Sequence, residues 1–230
     1  IVAARRERSV KDGDASVAPL ELGQAMSGTL VITLDPAWPP ISGADHRNWQ
    51  IATACARFGA ARLVSVLGGA PCPPAPAANV ATGVLTGARS ADVYRRPPGG
   101  SAVDLTLPAE LVATVEAEWT SMRPDHVIIE HLGLHPLFDM LRAKPSRLIL
   151  DMHNVESDLL AQRATGLRRL VNWDRAKVNA ARRVEGRACA RAAAIWTCSA
   201  EDADRLAALH EPLPRAFVVP NGIPNSDALP

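Results

Sequence analysis

RLILDMHNVESDLL, residues 147–160, holds the fold in miniature. Three consecutive apolar residues, Leu148 to Leu150, are followed by Asp151 and His153 and then by a polar run that opens a helix. A short uninterrupted apolar run bounded in this way reads as a strand buried on both faces, the situation of a parallel sheet covered by helices on each side. Asn154 is suited to cap the following helix, and Glu156 and Asp158 fall in its first turn, where the helix dipole favours negative charge. His153 therefore leaves the carboxyl end of a strand beside a helix N-terminus. From there an imidazole can donate a hydrogen bond to a hydroxyl or move a proton. A structural histidine satisfied by its neighbours is the competing reading.

The same strand-then-helix unit recurs outward in both directions. Short apolar runs stand at 29–35 (TLVITLD), 61–67 (ARLVSVL), 126–130 (HVIIE), 194–199 (AIWTCS) and 216–220 (AFVVP). Helical stretches fall between them at 44–58, 108–121, 134–143, 155–192 with a break near Gly166, and 200–209. This alternation predicts an α/β, Rossmann-like, doubly wound and mostly parallel sheet over residues 28–224. Residues 70–101, rich in proline, glycine and alanine, are expected to be irregular, with short strands around Thr82–Leu85 and Asp92–Tyr94. Residues 1–27 show neither period and are expected to be a poorly ordered extension or an upstream fragment.

The unusual polar residues cluster just after strand ends, which places them on the carboxyl edge of the sheet. In open α/β sheets ligands bind at that edge, because helix N-termini and loops converge there. After the first strand, Pro39 and Pro40 stiffen a loop in which Ser42, Gly43 and Ala44 lead into a helix, a geometry able to offer amide N–H groups to a phosphate or sugar. A plain turn is the simpler reading of the same loop. Glu130 and His131 follow HVIIE and suit contact with an acceptor better than a metal, since a metal would need a third ligand besides His131 and His135. Ser199 and Asp202 read as a capping pair. Glu110 and Glu118 sit on an amphipathic helix whose Leu111, Val112 and Val115 face the core. The arginine-rich stretch 168–191 reads as a solvated helix face or a surface for acidic lipid head groups.

Composition removes other classes. Twenty-five basic and 24 acidic residues leave a formal charge of +1, with no global field to hold nucleic acid. Four cysteines without C-x-x-C spacing fit a reducing compartment, so a cytoplasmic location is expected. No run approaches the roughly 18 apolar residues of a membrane span.

Five segments, taken in order, resemble the N-terminal domain of glycosyltransferase family four, the retaining GT-B enzymes. They are LVITLDPAWPPISGADHRNWQIATACARFG, DHVIIEH, LILDMHNVESDLLAQRA, ACARAAAIWTCSAEDADRL and VVPNGI, within residues 28–224. The resemblance implies one half of a GT-B architecture and transfer of a sugar from a nucleotide-sugar to an acceptor hydroxyl, with retained configuration and no obligatory metal or other cofactor. It puts Ser42, Gly43 and Ala44 in the glycine loop near the donor phosphates, although the family often carries a second glycine where this chain has Ala44. It makes His153 the crevice histidine near the transferred sugar and places Glu130, His131 and Asn154 on the side of a glycan, lipid-linked or small-molecule acceptor. Asn221 and Gly222 then mark the passage to a donor-binding domain. Seven residues follow Ile223, so that domain is expected to be missing, residues 225–230 to begin its linker, and turnover by this chain alone to be slight. Peripheral contact at the inner face of a membrane accompanies the basic helix. The competing readings are a nucleotide-sugar epimerase-like protein and a non-catalytic module pairing with a separate donor domain.

Overall fold

The computed structural model describes residues 28–68, 79–85, 107–163 and 173–222. In chain order the elements are β1 (Thr29–Thr33), α1 (Gly43–Cys55), β2 (Ala61–Ser65), β3 (Val80–Val84), α2 (Ala109–Met122), β4 (His126–Glu130), α3 (Pro136–Leu141), β5 (Arg147–Met152), α4 (Glu156–Arg163), α5 (Trp173–Arg191), β6 (Ala194–Thr197), α6 (Ala200–Leu209) and β7 (Arg215–Val218). The strands form one sheet in the order β3-β2-β1-β4-β5-β6-β7, and every pairing is parallel. The expected mostly parallel sheet is thus wholly parallel among the described residues. The chain runs outward from β1 in one direction, then returns and runs outward from β4 in the other. The direction of winding reverses between β1 and β4, which is where a doubly wound sheet opens its crevice.

Side-chain parity along the strands decides which face each residue serves. Leu30 and Ile32 of β1, Val127 and Ile129 of β4, and Leu148, Leu150 and Met152 of β5 pack with the large core beneath α2, α3, α5 and α6, around Leu111, Phe138, Val184 and Leu206. The alternate residues Val31, Ile128 and Ile149 pack with Ile51 and Ala52 of α1 on the opposite face. By the same parity Glu130 and Asp151 point to the α1 face, and β4–β5 register sets them side by side. Beyond α1 this face opens into a groove of about 730 Å³ lined in part by Ile128, Ile149 and Trp196.

Element ends depart from the sequence expectations in ways the local chemistry explains. The strands expected to run to residues 35, 67 and 199 stop at Thr33, Ser65 and Thr197, where the chain turns into its loop. The helix expected from 134 starts at Pro136, because Leu132–Leu134 winds as a 3₁₀ turn first. Of the helical stretch expected over 155–192 with a break near Gly166, the described residues hold α4 and α5, and the position of the break lies outside them. A strand stands at Val80–Val84, close to the one expected at Thr82–Leu85. The strand expected at 92–94, the extension 1–27 and the linker 225–230 also lie outside the described residues.

Candidate functional site

The site begins with the cap of α1. Ser42 Oγ accepts the N–H of Asp45 at 3.2 Å, and the Asp45 carboxylate accepts the N–H groups of Ser42 at 2.8 Å and Ile41 at 3.2 Å, a complete capping box. Two amides of the loop are therefore engaged by a carboxylate of the protein itself. Gly43 stands at the first helical position, and a Cβ built on it would meet nothing within 4 Å. The fold leaves room there for a side chain that the sequence does not supply. Trp38, stacked near Trp49 of α1 with ring centroids 4.4 Å apart, ties the preceding loop to the helix.

One turn into α1, Arg47 reaches the sheet edge. Its Nη2 donates to Asp151 Oδ1 at 2.6 Å and its Nε to Asp151 Oδ2 at 3.1 Å, a bidentate pair 3% and 0% exposed. Its Nη1 donates to the Val219 carbonyl at 2.5 Å and to Asn221 Oδ1 at 3.1 Å. One guanidinium thus links the ends of β5 and β7. Burial alone would lower the arginine's pKa, but Asp151 beside it raises it. Burial would raise Asp151, and the neighbouring His153 and Arg47 hold it below the usual carboxylate range.

His153 lies between two carboxylates, its Nδ1 3.6 Å from Glu130 Oε1 and its Nε2 3.6 Å from Asp151 Oδ2. Neither approach is a hydrogen bond at that distance, and Nε2 is buried with no hydrogen-bond partner among the described residues. Burial works against the imidazolium, yet Asp151 and Glu130 carry its pKa above the ordinary histidine value. Glu130 is 6% exposed and accepts only a long contact, 3.4 Å, from the Leu34 N–H. Burial pushes it up to about 7, with the His153 charge and the Leu34 N–H opposing. A carboxyl poised near neutrality at a strand end can accept a hydroxyl proton or return one.

His131 adopts φ 78°, a region that residues other than glycine seldom enter. The turn is held because His131 Nδ1 accepts the Gly133 N–H at 3.0 Å and the His131 carbonyl accepts the Leu134 N–H at 3.0 Å. Accepting through Nδ1 leaves Nε2 to carry the ring proton, and burial lowers the pKa, so the ring is neutral.

A cavity of about 330 Å³ at the carboxyl edge brings these residues together: Ser42, Ala44, Glu130, His131, His153 and Asn154 all line it. Gly43, Asn221 and Gly222 are not among the lining residues. Asn221 sits instead on Arg47, and a Cβ on Gly222 would press the Gln50 side chain at 2.5 Å. Asn154 stands two residues before α4 and is exposed; the entrance of that helix is braced by Ser157, whose N–H and hydroxyl donate to buried Glu185. Glu185 in turn meets His210 Nε2 at 2.7 Å. Ser199 caps α6 through the Asp202 N–H, as the spacing predicts. Glu118 pairs with Arg62 on the surface, away from the cavity. Among the described residues no group of three or more His, Cys, Asp or Glu stands close enough to hold a metal ion, and no helix is long and apolar enough to cross a membrane.

Two residues of the site escaped the sequence reading, Arg47 and Asn48. Arg47 pairs with a residue 104 positions away, which no local pattern announces. Asn48, 3% exposed, lines the cavity with its Oδ1 buried and without a hydrogen-bond partner among the described residues. A buried acceptor left in that state costs about 1–3 kcal/mol unless a ligand or water satisfies it.

Comparison with known proteins agrees with the fold. Sucrose-phosphate synthase from Thermosynechococcus elongatus superposes with a TM-score of 0.66 at 10% identity, over 85% of this chain and 48% of that one. UGT2 of Phytolacca americana, solved with UDP-2fluoro-glucose and pterostilbene, gives 0.51 at 12% identity, over 87% and 55%. A UDP-glucosyltransferase from Polygonum tinctorium gives 0.51 at 10%, over 87% and 53%. The chain spans about half the length of these GT-B glycosyltransferases and has the fold of one Rossmann-like half. No curated protein matches it. The model of the glycosyl transferase 4-like domain matches residues 42–222, from the Ser42 cap to Gly222, and the chain belongs to that family.

Proposed function

We propose that this chain forms the acceptor-side half of a retaining glycosyltransferase, which moves a sugar from a nucleotide-sugar to an acceptor hydroxyl. The observation that carries the reading is the cavity at the carboxyl edge, where residues from the ends of β1, β4 and β5 and the start of α1 converge within the span matched by the family. In the reaction the acceptor oxygen bonds to the anomeric carbon as the bond from that carbon to the donor diphosphate breaks, and the hydroxyl proton leaves with the phosphate. His153 lines the cavity beside the transferred sugar, its ring held between Glu130 and Asp151. Glu130, His131 and Asn154 line the acceptor's path. The donor phosphates approach the start of α1 from the side where Gly43 is open, outside the cavity.

A donor-binding second half supplies the charges that stabilise the leaving diphosphate, and Asn221 and Gly222, anchored near Arg47 and Gln50, lie on the way to it. The donor is a co-substrate, and no resident metal or cofactor is invoked. The protein works in the cytoplasm. The exposed arginines Arg175, Arg182, Arg183 and Arg187 of α5 suit contact with acidic head groups at a membrane surface when the acceptor is lipid-linked. Family membership favours transfer over an epimerase activity.

The test is product analysis of the domain joined to a donor-binding half. A glycosylated acceptor with the anomeric configuration of the donor, read by NMR, is expected. An inverted product would overturn the retaining assignment, and free epimer in place of a glycoside would overturn the transfer itself.

A further inference from the structure

The cavity combines two features that the transfer reaction alone does not require. Its charged lining is acidic: Asp35, Asp45, Glu130 and Glu156 all contribute, and no lysine or arginine does. The nearest guanidinium, Arg47, is committed to Asp151, the Val219 carbonyl and Asn221. Of the two histidines in the lining, His131 is neutral and held by the Gly133 N–H, and His153 faces Glu130 and Asp151. The N–H groups of Ile41 and Ser42, just before this helix start, already serve the Asp45 carboxylate.

The second feature is independent of charge. Asn48 lines the cavity, 3% exposed, and its buried Oδ1 has no donor among the described residues. An acceptor oxygen without a donor beside an acidic cavity calls for a ligand rich in donors and free of negative charge.

We propose that this cavity selects acceptors whose entering ring is a neutral or amino-bearing polyol without phosphate or carboxylate, and that Asn48 Oδ1 accepts a hydrogen bond from one of its hydroxyl or ammonium groups. Asn48 is thereby a specificity residue for the acceptor. The inference rests on the glycosyl-transfer reading for the meaning of the bound ring, but the selectivity is a property of the cavity and is tested by binding alone.

The experiment is NMR titration of the protein with three probes of one ring size, glucosamine, methyl glucoside and glucose 6-phosphate. Glucosamine is expected to bind most tightly and glucose 6-phosphate most weakly, with shifts centred on α1 and the ends of β4 and β5. Asn48→Leu, close in size but without the acceptor, should weaken the two uncharged or cationic probes about tenfold, whereas Asn48→Asp, which keeps an acceptor, should retain glucosamine. Glucose 6-phosphate binding as tightly as glucosamine, binding of none of the three, or loss of glucosamine in Asn48→Asp together with retention in Asn48→Leu overturns the proposal. The ranking in the unaltered protein stands whether or not the variants fold. If the ranking holds and no nucleotide-sugar supports transfer, the transfer reading fails and the selectivity stands. If transfer occurs with the ranking reversed, the selectivity fails alone.

Discussion

Glu130 is buried among apolar strands at a position where its charged form is poorly solvated, and its folded pKa of about 7 lies above the ordinary value of 4.5. The folded state therefore holds a proton that the unfolded chain releases, so this group stabilises the fold below about pH 4.5 and loses that contribution as pH rises through 7. The loss is on the order of 3 kcal/mol at about 1.4 kcal/mol per unit. Glu130→Gln should flatten the fall in urea stability between acid and neutral pH; an unchanged slope would place the proton elsewhere. Gly43 makes a second residue-scale prediction. Because a methyl there meets open space, Gly43→Ala should leave stability unchanged or raise it by up to about 1 kcal/mol. Loss of transfer in that stable variant, measured as initial rate, would locate the donor at this loop, and unaltered transfer would return the glycine to a turn.

At the scale of elements, the buried Arg47–Asp151 pair and the surface Arg62–Glu118 pair show how burial decides energetic weight. Asp151→Asn strands a guanidinium that is 3% exposed and should cost about 3–5 kcal/mol in urea unfolding. Glu118→Gln, breaking a pair 37% and 20% exposed, should cost under about 1 kcal/mol. Strands and helices were legible because their signals are local: HVIIE is a strand from its apolar run, and Ser199 with Asp202 is a cap from its spacing. The strand-end placement of Glu130 and His153 was legible for the same reason. Arg47 was not, since its meaning depends on the parity that turns Asp151 toward α1 and on register between strands distant in sequence. Asn48 was hidden because a polar residue in a helix usually faces water, and only packing shows that this one is covered. The 3₁₀ turn before α3 depends on the positive φ of His131, which a histidine does not advertise.

For the whole molecule, the parallel sheet gathers one cavity at the switch between β1 and β4, and the chain spans about half of the GT-B enzymes it resembles. Under the acceptor-side reading proposed above, the cavity brings no lysine or arginine to a diphosphate, so calorimetry of this chain alone should find nucleotide-sugar affinity no better than millimolar. Submillimolar binding would mean that the donor site is built here. The most direct test of the acceptor-side reading is transfer by the domain joined to a donor-binding half, with and without His153→Ala. Donor binding retained and transfer lost is the result expected from a cavity-lining histidine held between Glu130 and Asp151. Transfer at the unaltered rate in His153→Ala would contradict it.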